Sequence, residues 1–268
     1  LNVVLDPILI FACNLGLRGA ALATVIGQLV SVAVLLAMCH FRATAGVRLR
    51  PRYFSLHWHY VREIVYGGSP SLSRQGLASI SVILLNVAAA GYGDAAVAAM
   101  SIVSRVTMFV MAVIVGLGQG FQPFCGYCYG AALYNRLRHG FWFTVRVGFI
   151  FLLFFSAVFF CFAEQTIAVF RDDSIVIAIG STALRWHLAV YPLNAYIMAG
   201  NMMLQTTRRP IRANVLSSAR KGLVFIPFIL ILPHLFGLMG IAMCQAVCDV
   251  VTFIIAIPIV RSAFREMT

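Results

Sequence analysis

The stretch VFIPFILILPHLFGLMGIAMCQAVCDVVTFIIAIPIV, residues 224–260, decides the fold. Apolar residues fill it without period-2 alternation, and a short Gly-Leu-Met-Gly turn at residues 237–240 divides it. With the residues just before it, the first half belongs to an apolar run over 216–236; the second covers 238–260. About 20 apolar residues carry one helix across a bilayer, and in lipid only helices or closed barrels satisfy their own backbone. The two halves therefore read as a transmembrane helical hairpin whose one acid, Asp249, lies roughly 13 Å past Gly240.

Runs of the same kind fall near residues 1–13, 20–40, 69–91, 95–124, 141–163 and 175–204. The composition agrees: 62% of the 268 residues are hydrophobic, 10% are charged, and the mean hydropathy is +0.94. No soluble domain of this length keeps so much apolar surface from water, so the fold class is all-α, a polytopic membrane protein. The 1–13 run gives only about 20 Å of helix against a hydrocarbon core of roughly 30 Å, and reads as the outer end of an incomplete helix. The opening LNVVLDPILIFAC has neither an initiating Met nor a signal-peptide layout, and the expectation is a segment of a longer protein.

Charge is unevenly spread. Fifteen of the 20 Lys and Arg residues form four clusters between apolar runs: Arg42, Arg48, Arg50, Arg52 and Arg62; Arg136, Arg138 and Arg146; Arg208, Arg209, Arg212, Arg220 and Lys221; Arg261 and Arg265. The alternate gaps hold only Arg18 and Arg171 as bases, beside Asp94, Glu164, Asp172 and Asp173. Basic excess marks the cytoplasmic side. The net charge of +12 thus speaks for a multi-pass protein of the cell's plasma membrane with a cytoplasmic C-terminus, in contact with the lipid bilayer and not with nucleic acid.

The two ends of the chain repeat each other. Leu5-Asp6-Pro7-Ile8-Leu9-Ile10 aligns with Phe225-Ile226-Pro227-Phe228-Ile229-Leu230, and Gly16-Leu17-Arg18-Gly19 with Gly237-Leu238-Met239-Gly240, at an offset of 220 to 221 residues. Both copies run outward, turn, and return, which makes a parallel repeat. Six helices separate equivalent points, so residues 1–41 read as the last helices of a first, truncated lobe, 42–66 as a cytoplasmic inter-lobe linker, and 67–268 as a second six-helix lobe. In the linker, RYFSLHWHYVREIVY (52–66) has the spacing of an interfacial helix. About four and a half helices of a twelve-helix parent would then lie outside this sequence, and its cavity would sit between the lobes.

Enzyme chemistry finds no support: HExxH, GxSxG, Walker A and GxGxxG motifs are absent and the histidines are dispersed, so neither a catalytic residue nor a cofactor is expected. Cys125 and Cys128 make a CxxC and Cys244 and Cys248 lie one turn apart, but without nearby histidines or a second CxxC both pairs read as packing, not metal binding. Asp249 stands out, because a mid-membrane aspartate costs on the order of 2.5 to 3.5 kcal/mol. It serves either as a proton or sodium relay or as a hydrogen bond between helices. Arg74 and Arg185 are near enough to helix ends to snorkel, whereas Arg105 is deeper and calls for an acid. Pro70, Pro123, Pro192, Pro227 and Pro258 are expected to interrupt helices.

GLGQGFQPFCGYCYGA, residues 116–131, is the most distinctive segment. Its glycines at 116, 118, 120, 126 and 130 permit close helix approach, and Gln119 and Gln122 set amides beside aromatic rings, a combination that grips amphipathic cations without fixed geometry. This segment resembles the eighth helix of the MATE (multidrug and toxic compound extrusion) exporters, particularly the MepA-like branch, with its G-x-x-Q-G-x-Q-P-x-x-G-x-x-Y-G-A pattern. GGSPSLSRQGLASISVILLN (67–86) resembles that branch's seventh helix and Gly91-Tyr92-Gly93-Asp94 its external turn. Gln205, Arg220, Gly222 and Pro227 are similar to the run between its helices ten and eleven, Asp249 and Thr252 to its twelfth helix, and LDPILI…GLRGAALAT to the end of its first lobe.

The resemblance covers the chain from late helix five through helix twelve and implies a MATE-type twelve-helix, two-lobe fold with about seven and a half helices present. It implies a secondary active antiporter that exchanges H+ or Na+ for small-molecule drugs or toxic compounds, amphipathic or cationic, by alternating access. Gln75, Asn86, Gln119, Gln122, Asn194 and Asn201 are then candidate substrate contacts and Asp249 the ion-coupling candidate. The chain departs from the branch at Cys128, where Asn is frequent, and at Arg208, where Gly is common. The family's coupling acid on the first helix has no counterpart in this sequence, nor do the intramembrane acids that some branches carry on helices seven and ten. A lipid-linked oligosaccharide flippase of the same superfamily, or a membrane bundle without transport, are the alternatives; an intramembrane enzyme ranks last.

Overall fold

A computed structural model describes residues 1–12, 14–41 and 57–267. Among them there are helices and no strands. Seven are long and apolar enough to cross a membrane: Gly16–Met38, Ser71–Ala90, Asp94–Gly130, Tyr134–Cys161, Ser174–Thr206, Pro210–Phe236 and Leu238–Arg265. By chain contacts the protein divides into two units, Leu1–Val61 and Arg62–Thr268.

In the first unit, α1 (Asn2–Pro7) continues into a π-helical turn (Ile8–Ala12) and is followed by α2 (Gly16–Phe41). Gly16 has φ +51°, and a Cβ on Gly19 would collide with the Leu9 carbonyl, so the turn and the close crossing both need glycine. Leu22, Leu29, Val32 and Leu35 all lie exposed around α2, the all-round apolar surface of a membrane span.

The second unit holds α3 (Trp58–Ala90) from Arg62 onward, α4 (Asp94–Gly130), α5 (Tyr134–Cys161), the short α6 (Ala163–Phe170), α7 (Ser174–Val190), α8 (Asn194–Thr206), α9 (Pro210–Ser218), α10 (Phe225–Phe236) and α11 (Leu238–Arg265). Of the polar interval 42–66, residues 42–56 lie outside the described residues, and residues 58–66 are continuous with the span that follows. Local chemistry sets the boundaries. Asp173 caps α7 by accepting a hydrogen bond from the Ile175 amide at 3.0 Å. Both α4 and α8 end in six-to-one turns, Leu133 donating to Cys128 and Arg209 to Leu204, with Ala132 (φ +54°) and Arg208 (φ +55°) at the left-handed position. Gly237 (φ +57°) turns α10 into α11, and a Cβ on Gly240 would strike the Leu232 carbonyl. The Gly16 and Gly237 turns thus share both their positive φ and their glycine-on-carbonyl crossing.

The prolines divide into two groups. Pro70, Pro123 and Pro258 lie inside continuous helices, correcting the expectation that each would interrupt its helix. Two spans do break: a 3-10 turn at Tyr191–Leu193 contains Pro192 and separates α7 from α8, and a π-helical turn at Ala219–Leu223 separates α9 from α10. Pro227 brings no N–H to the carbonyl four residues back, and just ahead of it Val224 donates to Ala219, five residues back, at 3.1 Å.

Lipid is as apolar as leucine, so tight packing and polar contacts hold these helices, not transfer from water. Gly118 meets Met202, Gly126 meets Thr206 and Gly148 meets Ala195 at close range. Around Gly116, Gly120 and Gly130, by contrast, the space is open, so only part of the expected glycine stripe serves packing inside this unit. Two apolar clusters fill the unit: one includes Val103, Leu184, Ile241 and Cys248, the other Leu137, Phe141, Leu204 and Val260. On α11 Asp249 lies between the buried members of the first cluster, ending at Cys248, and those of the second, beginning at Ala256.

Candidate functional site

Asp249 is wholly buried and closed in by four elements. Its Oδ1 accepts from Arg220 Nε at 2.8 Å, across from the π turn, and from Gln245 Nε2 at 3.3 Å, one helical turn earlier on α11. Its Oδ2 accepts from Asn194 Nδ2 at 2.8 Å, at the start of α8, and lies 3.7 Å from His187 Nε2 on α7. Lys221 Nζ donates to Gln245 Oε1 at 2.9 Å and sits over the Phe225 ring, 5.9 Å from its centroid. One carboxylate therefore joins both broken spans to α11.

The breaks supply the geometry. The widened π turn sends the consecutive residues Arg220 and Lys221 to neighbouring partners on α11. Ser81 of α3 donates to the Lys221 carbonyl and to Leu77, and a Cβ on Gly222 would press into the Leu77 side chain, so α3 covers the turn. At the other break Asn194 also donates to the Tyr191 carbonyl at 3.2 Å, while Tyr191 reaches the Thr107 carbonyl of α4 at 2.5 Å. His187 Nε2 and Asn194 Oδ1 are buried without a hydrogen-bond partner, and both belong to residues that face the Asp249 carboxylate.

Arg220 and Lys221 are thereby removed from the cytoplasmic cluster in which the charge pattern placed them. Their span begins at Pro210, ten residues earlier, which sets Arg220 roughly 15 Å along the helix instead of at its mouth. Arg212 and Arg209 do sit at the helix end and converge on Glu266, at 2.6 and 2.8 Å. The Arg212 hydrogen bond holds the Glu266 carboxyl below its ordinary value, with the charges of Arg209 and Arg212 acting in the same direction. Arg185 pairs with Glu164 of α6 at 3.2 Å, and Arg105 is exposed.

The six amides singled out by sequence separate in space. Gln75 on α3 and Gln119 on α4 are exposed; Asn86 and Gln122 are half-buried. Asn194 and Asn201 are buried within the unit. Asn201 donates to the Ala213 carbonyl at 3.1 Å and to Ser217 Oγ at 2.7 Å, and accepts from Gln205, joining α8 to α9. Asn194 alone joins the Asp249 centre. His187, Arg220, Lys221 and Gln245 complete that centre and were not singled out as site residues. The available signal was electrostatic: a mid-membrane acid needs a cation, and the Gln245–Asp249 spacing of one turn puts both on one helix face.

Apolar spans with a buried charged centre at their breaks define a multi-pass membrane protein of the all-helical class. The pattern of the MatE family matches residues 70–231, and the chain belongs to that family. It is 28% identical over 242 residues to the multidrug export protein MepA of Staphylococcus aureus, an alignment covering 90% of this chain and 53% of that protein. To MepA of Staphylococcus haemolyticus it is 27% identical over 275 residues, covering 100% and 59%. In fold it is similar to a MOP superfamily transporter from Pyrococcus furiosus, with a TM-score of 0.90, 24% identity, and coverage of 100% of this chain and 60% of that one. The chain thus spans a little over half the length of the relatives it matches.

Proposed function

We propose that this chain forms the carboxy-terminal lobe, and the end of the preceding lobe, of a secondary active exporter in the plasma membrane. The exporter expels amphipathic or cationic small molecules in exchange for H+ or Na+ by alternating access, with the basic helix ends and the C-terminus in the cytoplasm. The observation that carries this reading is the Asp249 centre, in a chain of a family whose relatives are named multidrug export proteins. A proton or sodium ion arriving at Asp249 competes with Arg220 and Asn194 for the carboxylate. Loosening those contacts frees the two breaks of α7–α8 and α9–α10, so occupancy at one buried acid is converted into bending of two spans. His187, 3.7 Å from the same carboxylate, is the adjacent proton carrier.

Substrate contact belongs to the other face. Gln75 and Gln119 are exposed, Asn86 and Gln122 are half-buried, and the open flanks of Gly116 and Gly120 leave room beside Gln119 for a flat aromatic compound. Asn194 and Asn201, engaged inside the lobe, act as positioning residues. A lipid-linked oligosaccharide flippase would need bases lining the cavity, whereas Arg220 and Lys221 are turned to Asp249 and Gln245. The test compares the wild type with Asp249→Asn and with Asp249→Asn/Arg220→Gln in everted vesicles loaded by a cation gradient. Gradient-driven uptake of a cationic dye is expected to fall at least tenfold in both variants; full uptake by the double variant would exclude Asp249 from coupling.

A further inference from the structure

A groove of about 680 Å³ opens on the second unit between α5 and α11, floored by the 3-10 turn and the start of α8. It lies well apart in chemistry from the acid centre, since none of its lining residues is an acid. Its lining is sorted by height. Arg138 near the start of α5 and Arg261 and Arg265 near the end of α11 stand at one mouth; Phe149, Pro192 and Phe253 mark the other end. Arg261 lies one helical turn inside the mouth; from the outermost arginine to the deepest phenylalanine is 11 residues on α5 (Arg138 to Phe149) and 12 on α11 (Arg265 to Phe253), roughly 17 Å. That is close to half of the ~30 Å hydrocarbon thickness, the depth of one leaflet. From the arginine side toward the other end, Trp142, Tyr196 and Phe253 form a continuous aromatic wall, with ring centroids 6.1 and 5.5 Å apart.

We propose that this groove binds one anionic phospholipid from the leaflet on the arginine-rich side. The three guanidiniums take the phosphate, for which their planar donor forks are suited, and the acyl chain lies along the aromatic wall toward Pro192. Charge decides against a cationic occupant, and length decides against a free phosphate compound, which would leave the apolar 17 Å unused. The volume falls within the ~300–1,000 Å³ of ordinary ligand sites. The inference rests on α5 and α11 spanning the membrane and is independent of transport.

Phosphatidylglycerol and phosphatidylcholine with identical acyl chains, added to the purified protein in neutral detergent and followed by native mass spectrometry, provide the test. The wild type is expected to retain phosphatidylglycerol at least tenfold better. Arg138→Gln, Arg261→Gln and Arg265→Gln should each reduce that preference roughly fivefold, the factor for one base near a membrane surface. Arg136→Gln, exposed on the same helix end but outside the groove, should leave it unchanged. Equal retention of the two lipids by the wild type would overturn the proposal without any variant. So would an undiminished preference in the triple variant, or displacement of the lipid by an equal concentration of glycerol phosphate, which would assign the arginines to a soluble phosphate compound.

Discussion

Arg220 and Asp249 are each expensive to bury alone, and each is tolerable because the other is there. Removing one partner leaves an uncompensated charge in the bilayer, so Asp249→Asn or Arg220→Gln alone should lower the unfolding free energy by about 3 to 5 kcal/mol. Unfolding by a denaturing detergent should find the double variant more stable than either single one; equal additive losses would mean that the pair is not energetically coupled. Arg208 presents the opposite case. Its φ of +55° is a left-handed conformation at the end of α8 that glycine adopts without strain. Arg208→Gly should raise stability by about 1 kcal/mol in the same assay. Asp249 was legible from sequence because a lone acid in an apolar run is conspicuous. Its partners were not, since two consecutive bases at a hydropathy dip look like a helix mouth and a π turn leaves no trace in hydropathy. His187 gave no signal, being one of several scattered histidines.

Elements answer to backbone geometry. Gly240→Ala would force a Cβ into the Leu232 carbonyl and should open the α10–α11 hairpin at a cost of about 1 to 3 kcal/mol; Gly19→Ala should do the same at its own turn. Gly120→Ala meets open space and should leave stability unchanged, whereas Gly118→Ala presses on Met202. A thermal-shift series across these four variants distinguishes packing glycines from surface ones. At the end of α11, the Glu266 carboxyl is held below its ordinary value by Arg212 and then Arg209. The sign follows: whatever stability it gives is present above the ordinary carboxylate range and is lost as pH falls through the lowered value. Glu266→Gln should therefore differ from wild type near neutrality and converge with it on acidification. The spans themselves were readable from hydropathy, and Pro192 and Pro227 lie at or beside real breaks. At these two breaks Asn194 donates to the Tyr191 carbonyl, a local contact, whereas Ser81 donates to the Lys221 carbonyl from far away in sequence and leaves no local trace.

The second unit is apolar outside as well as inside: Phe109, Phe143 and Phe154 are more than 60% exposed, a surface only lipid or another helix layer can cover. That much the composition already required. The family could be recognised from the glycine-glutamine-proline segment because its pattern combines turn, packing and amide positions in fixed order. Substrate contacts were harder to read, since a glutamine on an apolar helix is written identically whether it faces a cavity, lipid or a neighbour; Gln119 and Asn201 ended on opposite sides of that distinction. Cation-coupled export, as proposed above, is read by efflux of a cationic dye from proteoliposomes containing the purified protein as its host produces it, under an imposed proton or sodium gradient. Efflux should rise at least tenfold with one of the two gradients and collapse when that gradient is dissipated. Efflux indifferent to both gradients, or absent under both, would contradict the claim.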